Sequence, residues 1–261
     1  MKKTLIILGT CAAFMPLFSY AQTVSVPSTL NATSTQARVA HIPILIYHSV
    51  RPYYPGITNL VKEFTVPPDI FDDQMKYLKD NGFTVVTFDD LSAYFQNGTP
   101  LPAKPVMVTL DDGWENQYIY AFPILKKYKY PGIFYVYPNA IGAKHFLTLP
   151  ELKEMISENM VMASHTQSHP ELPKIVDSAL LKKEVAGSKE ILEKQLGVKI
   201  MDFAYPFGAY NDQSVQAVIA AGYRTARTVH TGIKADSSAP YTIDGIIITG
   251  DFNRFVSLVN K

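Results

Sequence analysis

Two adjacent carboxylates, Asp111 and Asp112, follow an apolar run and precede a glycine. Neighbouring acids repel each other, so a cation is a natural reason for placing them together. One carboxylate would bind a metal ion while the other acts as a general base. The alternative is an ordinary helix start, because aspartate favours the position before a helix. A second pair, Asp89 and Asp90, has nearly the same setting, and we interpret that pair as a helix start.

Two histidines four residues apart, His165 and His169, lie in the segment SHTQSHP. This spacing places both imidazoles on one side of a helical turn and is common among metal ligands. Pro170 disfavours helix at His169, so an irregular turn after a strand is predicted instead. The alternative is a pair of surface histidines that are neighbours by chance, since the chain contains 6 histidines.

A third histidine, His48, ends the apolar run 43–47. Histidine titrates near neutral pH, which suits general acid or base chemistry. Taken alone, however, a histidine at the end of a buried strand is more often a hydrogen-bonded structural residue. The residues themselves therefore leave the role of His48 open.

The elements that must position these side chains alternate between strands and helices. Short apolar or β-branched runs predict strands at 43–47, 84–88, 106–110, 133–137, 161–163, 199–204, 223–229 and 241–249. Helical spacing predicts helices at 69–80, 91–95, 115–128, 148–157, 179–196 and 213–221. Seven or more such units in about 220 residues favour a deformed (β/α)7-type barrel in a single domain over an open sheet. Reactive residues are then expected at the C-terminal ends of the strands.

The first 21 residues predict a secretory signal peptide. Lys2 and Lys3 precede an almost wholly apolar run, and small residues stand at the −3 and −1 positions before Gln22. The run of about 15 residues is shorter than the about 20 that a membrane span needs. We therefore expect a secreted or periplasmic (cell-envelope) protein, attached to a membrane only if the segment is not cleaved. Residues 22–40 are expected to form a flexible lead-in, and residues 41–261 a single catalytic domain.

The composition excludes several classes of protein. Hydrophobic residues make up 47% of the chain and charged residues 18%, which excludes a disordered chain and a coiled coil. The 24 basic and 23 acidic residues leave a net charge of +1, so no nucleic-acid partner is expected. The single cysteine, Cys11, lies in the predicted signal segment. No internal disulfide, cysteine-rich metal site or disulfide-linked partner is therefore expected.

From Ile42 to about Thr231 the sequence is similar to one protein family, with the segments in a consistent order. The similar segments are IPILIYHSV, FDDQMKYLKDNGFTVVTFDDL, VMVTLDDGW, ILKKYKYPGIFYV, LTLPELKEM, ASHTQSHPEL, KEVAGSKEILEKQLG and FAYPFGAYN. Together they resemble the polysaccharide deacetylases with a NodB-type domain (carbohydrate esterase family 4). Within that family the chain is most similar to the poly-N-acetylglucosamine deacetylases of biofilm matrices. The resemblance implies a deformed barrel and hydrolysis of the N-acetyl groups of a β-linked N-acetylglucosamine polysaccharide, with release of acetate.

The resemblance also implies roles for the residues introduced above. Asp112, His165 and His169 match the metal ligands of the family, and Asp111 matches its catalytic base. The base would take a proton from a metal-activated water. The implied ion is divalent, with zinc expected first and cobalt, nickel or iron as alternatives.

The general acid implied by the biofilm branch is His48, which would protonate the departing amine. Other branches use a late histidine instead, and His230 is the candidate for that position. Phe207 stands where the family uses a backbone N–H to stabilise the oxyanion. Trp114, Tyr205 and Phe207 each lie close in the sequence to residues of the proposed site and are expected to bind the sugar.

Two positions depart from the family pattern. Many members pair an arginine with the catalytic aspartate, and the matching position here is Ala204. A late strand that usually carries an arginine has Asp244, whose role the sequence leaves open. The arginines left as replacements are Arg51, Arg224, Arg227 and Arg254. Because the arginine is missing, one alternative function is a carbohydrate-binding barrel with weak or no turnover. A further alternative is an O-deacetylase of a polysaccharide such as acetylated xylan.

Overall fold

Parallel strands form one curled sheet in the computed structural model, which describes residues 37–261. The strands in chain order are β1 (Val39–His41), β2 (Ile44–Tyr47), β3 (Ser49–Val50), β4 (Thr65–Val66), β5 (Thr84–Val85), β6 (Pro105–Leu110), β7 (Ile133–Val136), β8 (Val161–Ser164), β9 (Asp202–Ala204), β10 (Thr225–Arg227), β11 (Lys234–Asp236) and β12 (Ile246–Ile247). The order across the main sheet is β10-β9-β8-β7-β6-β2-β12, with β5 paired to β6. All pairings within this sheet are parallel, as the alternating pattern predicts.

Helices follow most of these strands. They are α1 (Asn59–Glu63), α2 (Pro68–Asp80), α3 (Phe88–Asn97), α4 (Phe122–Tyr128), α5 (Leu149–Ser157), α6 (Ser178–Lys182), α7 (Ser188–Leu196), α8 (Asp212–Ala220) and α9 (Phe252–Val259). Gln117–Ala121 and Lys183–Gly187 are π-helical, and Pro138–Ala140, Leu172–Lys174 and Pro206–Gly208 are 3-10 turns. The predicted capping box that begins α5 is confirmed, because Thr148 accepts from the Glu151 N–H while the Glu151 carboxylate accepts from the Thr148 N–H.

Both faces of the sheet are buried, so its strands are continuous apolar runs. Successive side chains of a strand point to opposite faces. In β7, Phe134 and Val136 belong to the large cluster that includes residues of the surrounding helices. Ile133 and Tyr135 belong to a second cluster, which includes residues of α3.

The sheet curls round until its two edges approach each other. The segment before β12 lies beside β10, because Arg227 and Ile243 form a parallel bridge. The Thr228 N–H also donates to the Ile243 carbonyl at 2.8 Å. Shortly after this segment, β12 (Ile246–Ile247) pairs with β2 and forms the other edge of the sheet. The predicted deformed α/β barrel is therefore confirmed.

The expected lead-in is wrong at its last two residues. Val39 and Ala40 lie in β1, which pairs antiparallel with β11. Ala40 is buried in the second cluster, so this segment is held by backbone hydrogen bonds and by packing. The predicted signal peptide and the rest of the lead-in up to residue 36 lie outside the described residues. Within residues 37–261, no helix is both long enough and apolar enough to span a membrane.

Several elements differ from the predicted ones. Helix α3 begins at Phe88 rather than at residue 91, because Thr87 and Asp90 form a capping box there. The predicted helix 179–196 is interrupted by the π-helical segment Lys183–Gly187. The predicted strand 241–249 shortens to Ile246–Ile247, and the last helix, α9, is absent from the predicted elements.

A buried aspartate links β9, β10 and α3 away from the predicted catalytic residues. The Asp202 carboxylate accepts from Arg224 Nε at 3.1 Å, from Arg224 Nη2 at 2.7 Å and from Thr225 Oγ1 at 2.8 Å. Arg224 also pairs with Asp89, whose side chain is 75% exposed. Burial raises the pKa of Asp202 in spite of these partners. Asp89 thus lies in the first turn of α3, as predicted, and also belongs to a structural ion pair there.

We predict that Asp202→Ala lowers the free energy of unfolding by about 3 kcal/mol, because it leaves the partly buried guanidinium of Arg224 without its main partner. Asp89→Ala removes an exposed partner of the same arginine and should cost less than about 1 kcal/mol. Urea unfolding of both variants measures the difference. Equal costs would contradict this assignment of the network.

Candidate metal and catalytic site

The predicted catalytic residues all follow strands of the curled sheet. His48 follows β2, Asp111 follows β6, and His165 follows β8. These strands are parallel, so their C-terminal ends lie on the same side of the barrel. Side chains that are far apart in the sequence are thereby brought together.

Asp112, His165 and His169 form a compact group of ligand atoms. Asp112 Oδ1 lies 3.6 Å from His165 Nε2 and 3.2 Å from His169 Nε2. The three ligand atoms all lie within 4.8 Å of one another. Ligands held about 2.0–2.2 Å from one tetrahedral ion are about 3.3 Å apart, so this donor set fits a divalent metal.

The buried imidazole of His165 is oriented by the barrel backbone. Its Nδ1 donates to the Ala204 carbonyl oxygen at 2.7 Å, which leaves the lone pair of Nε2 directed at Asp112. Burial lowers the pKa of His165 to about 4, against the opposing effect of Asp111 and Asp112. The imidazole is therefore neutral at physiological pH, which is the form that binds metals.

Asp112 is held so that only one carboxylate oxygen faces the histidines. Its Oδ2 accepts from the Trp114 indole Nε1 at 3.0 Å, while Oδ1 faces the two imidazoles. Burial opposes ionisation of Asp112, but the hydrogen bond with His169 and the nearby imidazoles of His165 and His48 lower its pKa below the usual range. Its backbone is left-handed, with a φ of 75°, a strained conformation that is common at functional sites.

The turn between the two histidines is irregular, as the proline after His169 predicts. Thr166 and His169 both have positive φ angles, of 65° and 64°. Thr166 Oγ1 accepts from the His169 N–H at 2.9 Å and donates to the His165 carbonyl at 2.5 Å. This hydroxyl fixes one ligand relative to the other.

A buried glutamate, Glu184, holds the middle of the same turn. Its carboxylate accepts from the Gln167 N–H at 3.0 Å, the Ser168 N–H at 2.9 Å and Ser168 Oγ at 2.6 Å. Glu184 lies in the π-helical segment Lys183–Gly187, a type of segment that often marks functional sites. Regular helical spacing over 179–196 did not single out Glu184, because the π-helical segment shifts that spacing.

The arginine that pairs with Asp111 is Arg227. Its Nη2 donates to Asp111 Oδ1 at 2.5 Å, and its guanidinium lies 4.7 Å from the centre of the Tyr135 ring. Arg227 has 0% exposure and Asp111 has 2%. Of the candidate arginines, this one replaces the arginine expected at Ala204. The reason for doubting turnover, a missing arginine, therefore no longer applies.

Gln117 connects the strand ends that carry the catalytic candidates. Its side-chain nitrogen donates to the His48 carbonyl at 2.7 Å and to the Asp111 carbonyl at 2.5 Å. These bonds fix the end of β2 relative to the end of β6. Gln117 is buried in a π-helical segment, and the sequence analysis gave it no role.

His48 lies at the wall of a cavity of about 430 Å³ that Asp112 and Trp114 also line. Its ring packs edge-on against Phe64, with the centroids 5.1 Å apart. Among the described residues, its buried Nδ1 has no hydrogen-bond partner. The ring is therefore not held by a hydrogen bond through Nδ1.

Phe207 and Tyr205 have different environments. Phe207 is 63% exposed, has a φ of 59° and lies 4.8 Å from His169 between ring centroids. Tyr205 is 1% exposed and packs between Phe203 and Tyr210. The expectation that Tyr205 contributes a substrate-binding side chain is wrong, because its ring is part of the core.

The two late residues left open by the sequence do not join the ligand group. His230 is exposed, with its ring 5.9 Å from that of Tyr210. The Asp244 carboxylate packs against the backbone of Gly232, where it occupies the space that a Cβ atom would need. Asp244 therefore makes a close packing contact and does not lie among the predicted metal ligands.

A parallel α/β barrel with two histidines, one carboxylate and a buried aspartate at its strand ends is typical of metal-assisted hydrolases. The family model for polysaccharide deacetylases matches residues 98–226, which contain the ligand group and Asp111. The chain belongs to the polysaccharide deacetylase (NodB/CE4) family.

Similar proteins include enzymes with known structures. The deacetylase PplD of Streptococcus pyogenes, solved with acetate, is 30% identical, with a TM-score of 0.78 over 85% of this chain and 99% of that chain. IcaB from Ammonifex degensii is 25% identical, with a TM-score of 0.74 over 85% of this chain and 97% of that chain. The poly-β-1,6-N-acetyl-D-glucosamine N-deacetylase of Staphylococcus aureus is 28% identical over 79% of this chain and 78% of its own length.

We predict that Arg227→Met lowers kcat for deacetylation by about 10²-fold, because the charge of Asp111 loses its buried partner. If Arg227 acts through Asp111, the double variant Asp111→Asn/Arg227→Met should be no slower than Asp111→Asn alone. Acetate release measures the rates, and unfolding curves give the folded fraction by which each is corrected. Multiplicative losses in the double variant would contradict this coupling.

Proposed function

We propose that the protein is a secreted, metal-dependent N-deacetylase of a β-linked N-acetylglucosamine polysaccharide. It hydrolyses the acetamide of a sugar residue to acetate and a free amine. The observation that carries the proposal is the group of Asp112, His165 and His169 beside the buried pair of Asp111 and Arg227. The similarity to a Staphylococcus aureus enzyme named for poly-β-1,6-N-acetyl-D-glucosamine supports this substrate class.

The donor set supports a divalent ion held by Asp112 Oδ1 and the Nε2 atoms of His165 and His169. Two imidazoles and one carboxylate leave further coordination positions open, which is typical of catalytic rather than structural sites. Such an ion supplies Lewis acidity that polarises a carbonyl and acidifies water. Zinc suits this donor set best, and cobalt, nickel and iron are alternatives.

Asp111 is the proposed general base. Arg227 donates to its Oδ1, which leaves Oδ2 to accept a proton from the attacking water. The guanidinium also compensates the negative charge in a place where neither side chain reaches bulk solvent. Asp111 is thus fixed in position next to the ligand residue that follows it in the chain.

His48 is the proposed general acid for the amine that leaves. It lines the same cavity as Asp112, and its ring is not committed to a hydrogen bond through Nδ1. Protonation of a poor leaving group by such a residue contributes about 10²–10⁴-fold in rate. The Phe207 backbone N–H is proposed to stabilise the oxyanion, beside the imidazole of His169.

The proposal is tested by acetate release from poly-β-1,6-N-acetylglucosamine, chitin oligomers and peptidoglycan, with acetylated xylan as an O-acetyl substrate. We expect release from an N-acetylglucosamine polymer, loss after chelation and recovery with added zinc. Asp111→Asn should lower the rate of release to a small residual value, while the matched control Asp89→Asn should retain the full rate. Release from xylan alone would indicate an O-deacetylase, and glycan binding without release would indicate a binding barrel.

The roles of the two histidines are separable. We predict that His48→Ala lowers kcat by about 10²-fold or more while leaving bound zinc at the level of the unaltered protein. His165→Ala should lose zinc first, because it removes a ligand. Elemental analysis of the purified variants, per mole of chain, measures the difference. Loss of zinc from His48→Ala would make His48 a ligand and contradict its role as an acid.

A further inference from the structure

The cavity beside His48 contains an arginine that lacks a partner. Arg51 lines this cavity together with His48 and Asp112. Within residues 37–261, its guanidinium has neither a hydrogen bond nor an ion pair, and its Nε is buried and unpartnered. The other arginines are engaged: Arg38 and Arg254 donate to backbone carbonyls, and Arg224 and Arg227 pair with aspartates.

Arg51 is held by one contact of its backbone and one contact of its side chain. Its backbone N–H donates to the Val66 carbonyl at 3.1 Å, next to the pairing of β3 with β4. Its guanidinium lies over the Tyr54 ring, 4.9 Å from the centroid. This contact provides no hydrogen-bond acceptor, and a guanidinium donates in its own plane to an acceptor such as a carboxylate.

No acidic side chain at the cavity wall is left to pair with Arg51. Asp112 is the only acid among the residues that line the cavity, and Trp114 and the two histidines already engage it. Two other polar atoms at the wall, Ser49 Oγ and Thr65 Oγ1, are also buried without a partner. Leu60 and Phe64 add an apolar surface on which a sugar ring can pack.

We propose that Arg51 binds a carboxylate group carried by the polysaccharide, on a sugar residue next to the one that loses its acetyl group. This inference rests on the proposed deacetylase function and refines its substrate class. A guanidinium donates to both oxygens of a carboxylate at once, and such a charge-assisted pair is stronger than a bond to a sugar hydroxyl. The preferred substrate is therefore a β-linked N-acetylglucosamine polymer with acidic substituents.

The test compares two derivatives of one β-1,6-linked N-acetylglucosamine pentamer. One is carboxymethylated and the other is hydroxyethylated, both to the same degree. We expect kcat/KM for acetate release to be about tenfold higher for the carboxymethylated pentamer. The preference should fall as sodium chloride is raised, because salt screens a partly exposed ion pair.

Arg51→Gln should bring the ratio of the two kcat/KM values close to one. Arg51→Lys should restore only part of the preference, because an ammonium group cannot bind both carboxylate oxygens in one plane. Arg254→Gln removes the same charge outside the cavity and is the matched control, with an unchanged ratio expected.

The outcomes separate the two proposals. If neither pentamer releases acetate, the proposed function fails. If both release it equally well in the unaltered protein, the function stands and the proposal for Arg51 is overturned. A preference that persists in Arg51→Gln also overturns it. If Arg51→Gln does not fold, the ratio of the two kcat/KM values in the unaltered protein, and its dependence on salt, still decide whether the proposal for Arg51 stands.

Discussion

Two charged side chains, Arg227 and Asp111, contact each other at 2.5 Å where neither reaches bulk water. Removing each charge from water costs several kcal/mol, so each is tolerated only because the other is present. The two residues come from β10 and from the end of β6, with β9, β8 and β7 between those strands in the sheet. Strands lie about 4.8 Å apart, so in a flat sheet β10 and β6 would be separated by about 19 Å. Only a strongly curled sheet allows the contact, and the ion pair is thus a direct consequence of the barrel.

The ligand group depends on a second constraint, the strained backbone of its two turns. Asp112, Thr166 and His169 all have positive φ angles, a conformation that costs free energy for residues other than glycine. Partly buried hydrogen bonds offset this cost. The indole of Trp114 binds one oxygen of Asp112, and the carboxylate of Glu184 binds the turn between the histidines. The ligand atoms are therefore positioned by the protein itself, within 4.8 Å of one another.

Much of this site could be predicted from the sequence, because its local features have local causes. An acid pair before a glycine and two histidines before a proline both follow apolar runs, and strand ends are where a barrel gathers reactive groups. The local setting of Asp89 is nearly the same, and it was the family resemblance that singled out Asp111; Asp89 instead forms an exposed ion pair with Arg224.

The residues that the sequence analysis missed depend on long-range geometry. Arg227 could not be chosen among the arginines, because its contact with Asp111 is made across the curled sheet. Glu184 was hidden by a π-helical segment, which shifts the helical spacing on which the prediction relied. Tyr205 follows a strand like the catalytic residues, yet its ring turns into the core. Helix α9 did have a local signal, since Phe252, Phe255 and Val259 recur at helical spacing after Asp251.

The account depends most on the ligand group, and X-ray absorption at the zinc edge of the zinc-loaded protein tests it most directly. We expect one zinc ion per chain, with two imidazole nitrogens at about 2.0 Å and oxygen ligands completing the shell. The imidazole contribution should fall by half in His169→Ala. A spectrum without imidazole scattering, or one that His169→Ala leaves unchanged, would contradict the account.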